Sequence, residues 1–158
     1  MSVALYPGSF DPIHNGHVAI IETGASLFER VIVAIGHNPA KPSGMFTPED
    51  RVAMVKASVS HLSNVEVEMF SGLVTVAAAN LGATCLLKGV RSNTDVDAEM
   101  LQANMNAKTG NGIPTVFLPG LGEDALVSSR YVREISSAGG DVSAVVPAAV
   151  RTSLAEKG

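Results

Sequence analysis

Two histidines near the amino terminus have the spacing that most directly suggests chemistry. His14 and His17 lie three positions apart with Gly16 between them, soon after an apolar run. If a helix begins here, residues three apart share one face, and both imidazoles would lie near the positive end of the helix dipole. Backbone amides and a ring N–H could then bind an anion such as a phosphate. The segment therefore predicts a phosphate-binding loop followed by a helix.

The residues around these histidines favour the same prediction. Pro7, Gly8 and Pro12 interrupt the chain between the apolar run and the first histidine. Prolines and glycines at this density form tight turns with an exposed backbone, so that amide groups can approach a ligand closely. Lys41 and Lys88 stand in or at the head of later loops, where point cations suit phosphate.

Other interpretations of the histidines depend on their partners. A histidine in a turn can instead cap a helix or pack against the chain, and for His14 this role stays open. A zinc site is a third interpretation, but the four histidines have no acidic or cysteine partner at familiar ligand spacing. The sequence has no P-loop motif, and its glycine pairs at 110–112 and 120–122 lack the third glycine of the dinucleotide fingerprint. Turns are the simpler explanation of those pairs.

Short aliphatic runs alternate with amphipathic segments along the chain. This alternation predicts an α/β fold, with a doubly wound, five-stranded and mainly parallel sheet. Ligands of such sheets bind beyond the carboxyl ends of the strands, so the loops after the first, second, fourth and fifth strands should carry the site. The predicted strands span 3–6, 31–35, 65–69, 84–87 and 115–118, and the predicted helices span 17–28, 48–58, 73–80, 95–108, 128–136 and 147–156.

Composition favours a globular protein of one domain. Of the 158 residues, 46% are hydrophobic and 16% are charged, and no shift in composition divides them. We therefore predict a single domain over residues 1–158, with C-terminal helices from about residue 128. The net charge of -4 argues against a nucleic-acid-binding surface. Cys85 is the single cysteine, which excludes an internal disulfide and favours the cytoplasm, and no segment predicts a signal peptide or a membrane span.

Longer motifs carry a resemblance to a known family. Gly-Ser-Phe-Asp-Pro at 8–12, followed by His-x-Gly-His, resembles the nucleotidylyltransferase superfamily. Along its whole length the chain is similar to the bacterial phosphopantetheine adenylyltransferase family. The matching segments are Tyr6 to Pro12, Asn38 to Lys41, Met45-Phe46, Lys88 to Arg91, Asp97 to Asn106 and Gly139 to Val142, together with Pro147.

The resemblance implies a fold, a reaction and an assembly. It implies a Rossmann-like nucleotidylyltransferase fold and the transfer of the adenylyl group of ATP to 4'-phosphopantetheine, giving dephospho-coenzyme A and pyrophosphate. It also implies Mg²⁺, held by phosphates and water, as well as a homohexamer and feedback by coenzyme A. The reaction is an in-line attack by a phosphate that is already ionised, so catalysis should come from positioning and charge stabilisation.

The resemblance also implies roles for individual residues. His17 would donate to the α-phosphate, Lys41 would align the attacking phosphate, and Arg91 with Ser129 would stabilise the leaving pyrophosphate. The implied ATP-binding residues are Ser9, Phe10, His17, Gly89, Val90, Arg91, Glu99, Asp124, Ala125, Leu126, Val127, Ser128, Ser129 and Arg130. The implied acceptor-binding residues are Ser9, Lys41, Leu73, Val74, Lys88 and Asn106.

Four positions depart from the family pattern. Lys88 stands where many members have arginine, which keeps the charge but loses the bidentate fork. Ala98 replaces a frequent aromatic residue, Gly72 a frequent acid, and Arg130 the last serine of a three-serine run. The segment Ser128 to Arg133 also resembles a signature of pyridine-nucleotide adenylyltransferases, so nicotinate mononucleotide or a cytidylyl acceptor stays an alternative. A catalytically silent nucleotide-binding module is an alternative of a different class.

Overall fold

Strands and helices alternate along the chain as the sequence pattern predicts. The computed structural model describes residues 1–42 and 44–157. The strands are β1 (Val3–Gly8), β2 (Arg30–Gly36), β3 (Val65–Phe70), β4 (Cys85–Val90) and β5 (Thr115–Pro119). The helices are α1 (Asn15–Leu27), α2 (Pro48–Ser58), α3 (Val74–Asn80), α4 (Asn93–Thr109), α5 (Ser129–Ser137) and α6 (Ala148–Lys157). All lie within three residues of the predicted bounds. Strand β4 ends at Val90 rather than at residue 87, α4 starts at Asn93 rather than at residue 95, and α1 starts at Asn15 rather than at residue 17, because His14 caps it.

The five strands form one parallel sheet in the order β3-β2-β1-β4-β5, which confirms the predicted α/β class. Chain order runs outward from β1 in both directions, so the topological switch point lies between β1 and β4. Among the described residues these two strands pair only at Ala4–Cys85 and Leu5–Leu86, although they continue to Gly8 and Val90. The strand ends therefore leave an open crevice at the switch point.

Alternate residues of the central strands point to opposite faces of the sheet, and both faces are covered. On one face, Tyr6 and Leu87 join a core that also contains residues of α1, α2, α5 and α6. On the other face, Leu5 and Leu86 pack with Ala78 of α3. Burial on both faces explains the nearly continuous aliphatic runs in the sequence and gives the strand ends a rigid support.

Helix α2 begins with a side-chain cap. Thr47 caps α2 by accepting a hydrogen bond from the amide of Asp50, and Pro48 occupies the first turn. Helix α4 differs from the others because none of its residues is buried in the single chain. Within the described residues, no helix is both long and apolar enough to cross a membrane.

Candidate active site

Two adjoining cavities lie at the crevice between β1 and β4. The first has a volume of about 350 Å³ and the second about 390 Å³. Pro7, Gly8, Lys88 and Glu99 line both, so the two cavities form one continuous cleft. Its position beyond the carboxyl ends of the strands agrees with the prediction from topology.

His14 and His17 cap the start of α1 reciprocally. The backbone N–H of His17 donates to Nδ1 of His14 over 3.3 Å, and the backbone N–H of His14 donates to Nδ1 of His17 over 3.1 Å. The two rings stack with centroids 3.7 Å apart. This is a capping box in which both side chains are imidazoles, so it satisfies two amides that the helix itself cannot.

The reciprocal cap determines where each histidine carries its proton. Because Nδ1 of each ring accepts an N–H, a neutral imidazole must have its hydrogen on Nε2. Burial, with a smaller contribution from Arg91, lowers the pKa of His14 to about 4. Burial also lowers the pKa of His17 well below its ordinary value, and His14, Arg91 and Lys88 add to this effect. His17 is therefore a neutral Nε2–H donor in the wall of the first cavity.

Gly16 is required by the close approach of two chain segments. A Cβ at this position would lie 2.8 Å from the carbonyl oxygen of Asp124 and 2.9 Å from Cε1 of His14. Any larger residue would therefore displace either the 124 segment or the capping ring. Phe10 packs against His17 from another side, with ring centroids 4.7 Å apart.

The loop between β1 and α1 is held by side chains that bind its carbonyl groups. Arg51 donates to the oxygen of Ser9 over 2.7 Å, and Arg133 donates to the backbone oxygen of Asp11 over 2.7 Å. Ser129 donates its hydroxyl to the oxygen of Pro12 over 2.8 Å. The phosphate-binding loop predicted from the sequence is thus fixed from α2 and α5 without a ligand.

Arg91 is held in place at the head of α4. Its Nε lies 2.9 Å from Oδ2 of Asp95, and its Nη1 donates to the carbonyl of Val127 over 3.0 Å. The hydrogen bond from the Arg91 side chain lowers the pKa of Asp95, so this carboxylate stays ionised. The arrangement fixes the guanidinium group and ties the segment before α5 to the end of β4.

Lys88 and Glu99 form an ion pair in the wall between the two cavities. Nζ of Lys88 lies 3.3 Å from Oε1 of Glu99, and both side chains are about three-quarters buried. Lys88 is therefore within reach of ligands in either cavity. An anion that approaches it must compete with the glutamate.

The structure brings together most of the residues that the sequence implied. The predicted ATP-binding residues that line the first cavity are Ser9, Phe10, His17, Gly89, Val90, Arg91, Glu99, Asp124, Ala125, Ser128, Ser129 and Arg130. The predicted acceptor-binding residues that line the second are Leu73, Val74, Lys88 and Asn106.

Three predicted site residues line neither cavity. Lys41 is exposed in the loop after β2, and its backbone amide donates to the carbonyl of Asn38. Leu126 is 76% exposed, and Val127 contributes only its carbonyl, which accepts the hydrogen bond from Arg91. The family resemblance implied site roles for these residues, whereas the turn before α5 directs Leu126 to the surface.

Several cavity residues were not identified as site residues from the sequence, although a helical period could have found some of them. Arg133 follows Ser129 by four positions on α5, so it shares the face that meets the loop after β1. Gln102 follows the predicted residue Glu99 by three positions on α4 and lies on the same face of that helix as the predicted residue Asn106. Asp95 had no signal besides its i, i+4 spacing from Arg91.

The donors around the cleft suit phosphate better than a protein-bound metal. The amino end of α5 meets the first cavity through Ser128, Ser129 and Arg130, and helix amino ends present free amides to anions. Within the described residues, no group of three or more His, Cys, Asp or Glu side chains is arranged to hold a metal ion.

Comparisons with known proteins agree with this geometry. A family model described as cytidylyltransferase-like matches residues 5–135. A crystal structure of a candidate nicotinate-nucleotide adenylyltransferase from Vibrio parahaemolyticus has a TM-score of 0.70 at 17% identity, covering 98% of this chain and 99% of that one. At this identity the likeness concerns the fold alone.

Curated relatives narrow the family. The phosphopantetheine adenylyltransferase of Heliobacterium modesticaldum is 45% identical over 157 residues, which are 99% of this chain and 93% of the relative. That of Gloeobacter violaceus is 45% identical over 152 residues, which are 96% and 94% of the two chains. Since such relatives match almost the whole length, the chain belongs to the phosphopantetheine adenylyltransferase family, and its fold is that of the cytidylyltransferase-like proteins.

Proposed function

We propose that this enzyme transfers the adenylyl group of ATP to 4'-phosphopantetheine, giving dephospho-coenzyme A and pyrophosphate. One observation carries the proposal: the two adjoining cavities share Lys88, and the first contains His17 as a fixed neutral donor. Family membership at 45% identity supports the same acceptor. ATP occupies the first cavity, the pantetheine arm occupies the second, and the reacting phosphates meet at the wall between them.

The chemical step is a substitution at the α-phosphorus of ATP. A phosphate oxygen of the acceptor forms the new bond to that phosphorus, and the bond from the phosphorus to the bridging oxygen of the β-phosphate breaks. The electron pair of that bond leaves with pyrophosphate. Since the attacking phosphate is already ionised near neutral pH, the enzyme needs no general base. Its contribution is alignment and stabilisation of negative charge.

His17 and Arg91 provide that stabilisation in different ways. The Nε2–H of His17 donates a hydrogen bond to an α-phosphate oxygen as negative charge increases there, and it does so without an ionic charge of its own. Arg91, fixed by Asp95, binds the leaving pyrophosphate together with the amides at the start of α5. The Ser129 hydroxyl already donates to Pro12, so Ser129 acts on pyrophosphate through its backbone N–H.

Lys88 and Lys41 bind the attacking phosphate from two directions. Lys88 exchanges its partner Glu99 for the acceptor phosphate, and a compact ammonium group can do so without the fixed geometry that a guanidinium requires. Lys41 lies outside the cleft in the structure, so it reaches the phosphate only with a rearrangement of its exposed loop. Asn106, Leu73 and Val74 contact the rest of the pantetheine arm.

Magnesium enters this scheme with the nucleotide. The cavity offers scattered donors rather than a carboxylate cluster among the described residues, and Glu99 already binds Lys88. Mg²⁺ keeps much of its hydration shell and binds readily to phosphate oxygens, so ATP and water supply its ligands here. When bound, the ion neutralises phosphate charge.

The finer expectations on assembly, feedback and location also have structural support. Met100, Leu101 and Met105 are exposed apolar side chains on α4 in the single chain, as a subunit interface of a homohexamer would require. Coenzyme A contains both an adenine nucleotide and a pantetheine arm, so it would fill both cavities and act as a feedback inhibitor. Cys85 is a buried free thiol, which suits the reducing cytoplasm.

A pyrophosphate-release assay with a panel of acceptors tests the proposal. We expect release only when ATP and 4'-phosphopantetheine are both present, with dephospho-coenzyme A identified by mass. Pyrophosphate release with nicotinate mononucleotide instead would refute the proposed acceptor and favour a pyridine-nucleotide adenylyltransferase activity. ATP binding without release for any acceptor would favour the silent binding module.

A further inference from the structure

Two buried charged side chains lie beside the cleft but do not line it. Asp11 is 6% exposed and Arg51 is 5% exposed. Neither forms an ion pair with another side chain among the described residues. A buried charge without a counter-ion is costly unless several hydrogen bonds compensate it. The hydrogen bonds of Asp11 and Arg51 therefore indicate what these two side chains do.

The Asp11 carboxylate binds the loop between β2 and α2. Oδ2 accepts the backbone N–H of Met45 and Oδ1 accepts that of Phe46, each over 2.8 Å. Gly44 lies so close that a Cβ at this position would overlap the carboxylate. Both oxygens are thus used to fix the carboxyl-terminal end of that loop against the loop after β1.

Arg51 binds the other end of the same loop. Its Nη1 donates to the carbonyl of Ser9 over 2.7 Å and to that of Gly36, the last residue of β2, over 3.2 Å. The guanidinium group therefore ties the start of the β2–α2 loop to the phosphate-binding loop. Lys41 stands between the two tied ends, exposed to solvent.

We propose that Asp11, Gly44 and Arg51 form a clamp that fixes both ends of the β2–α2 loop to the loop carrying Ser9, so that Lys41 between these ends needs only a local rearrangement to reach the acceptor phosphate. These are positioning residues, since they act through Lys41 and line neither cavity. The inference rests on the proposed function for its effect on the KM of the acceptor, but the clamp itself is a property of the free protein.

A double-mutant cycle with Lys41 tests the clamp. Asp11→Asn removes one of the two carboxylate bonds, and Gly44→Ala displaces the loop while leaving both charges in place. Either change should raise the KM for 4'-phosphopantetheine about tenfold, the effect of one lost bond to a charged group, with the KM for ATP changed less than about twofold. In a Lys41→Ala background the same changes should raise the acceptor KM less than about twofold, because the group through which they act is gone.

Amide hydrogen exchange supplies a readout that needs no activity. Exchange of the Met45 and Phe46 amides, followed by NMR, should be faster in Asp11→Asn and Gly44→Ala than in the parent protein. Glu49→Gln is the matched control, because Glu49 is exposed on α2, the helix that carries Arg51. It should alter neither the exchange of these amides nor the KM for the acceptor. If Asp11→Asn does not fold, Gly44→Ala carries the test.

The outcomes separate the clamp from the proposed function. A parent protein that releases no pyrophosphate with 4'-phosphopantetheine refutes the function, and the exchange measurement still decides whether the clamp holds the loop. Equal increases in acceptor KM with and without Lys41, or unchanged exchange at Met45 and Phe46, would overturn the clamp.

Discussion

The two halves of the cleft are built differently. In the first cavity, His17 is oriented by His14 and Arg91 is held by Asp95 before any ligand arrives. In the second cavity, Leu73 is 71% exposed. Groups fixed in advance stabilise a transition state without reorganisation, whereas exposed apolar groups gain contacts only when a ligand covers them. The first half should therefore govern kcat and the second the KM of the acceptor.

The most severe way to break this comparison is His17→Ala. Removal of the neutral Nε2–H donor should lower kcat by roughly 10² to 10³, the usual loss for one donor to a developing charge, while ATP affinity changes much less. Steady-state pyrophosphate release and ATP titration measure the two quantities. His61→Ala is the control, because His61 is exposed and pairs only with Glu22 in the described part of the chain. Near-parental turnover in a folded His17→Ala protein would contradict the assigned role.

A pH dependence of stability should follow from the buried His14. Its folded pKa of about 4 lies below the ordinary value of 6.5, so between these values the unfolded chain binds a proton that the folded chain does not. The free energy of unfolding should therefore fall as the pH decreases from about 6.5 to about 4, by about 3 kcal/mol for this group. Denaturant titration at several pH values measures it.

His14→Thr sharpens this test, because threonine also caps helices but does not titrate in this range. The variant should lose a correspondingly large part of the decline, while the remainder reflects His17 and other groups. An identical decline in both proteins would mean that His14 is not held neutral by the fold.

The smallest expected effect lies in the second cavity. Leu73→Ala should raise the KM for 4'-phosphopantetheine about three- to tenfold through lost apolar contact and leave kcat unchanged. Val76→Ala is the matched control, since Val76 is 54% exposed near Leu73 but lines neither cavity. A fall in kcat for Leu73→Ala as large as that for His17→Ala would remove the distinction between the two halves.

Local patterns were sufficient to predict the framework of the molecule. Short aliphatic runs placed the strands and amphipathic segments placed the helices, because both signals depend only on neighbours in sequence. The family resemblance implied most of the predicted site residues that line the two cavities. The prediction of a single domain over 1–158 and the roles of individual site residues stay predictions.

Contacts between distant segments could not be predicted in the same way. The sequence left the role of His14 open because its burial depends on segments that are distant in sequence, such as the one in which Val145 accepts a hydrogen bond from the amide of Asn15. Nothing local indicated that Asp11 binds Met45 and Phe46, or that Lys41 would lie outside the cleft. Such contacts depend on how helices, strands and loops pack together, which the sequence pattern within a single element does not indicate.

The ion pair between Lys88 and Glu99 has a thermodynamic consequence for the order of binding. Since both residues line both cavities, a ligand that separates them changes the charge that the neighbouring cavity presents to the second ligand. Linkage then requires that ATP and the acceptor change each other's affinity by the same factor. We therefore expect the Lys88–Glu99 ion pair to couple the binding of the two substrates, without any movement of the sheet on which they lie.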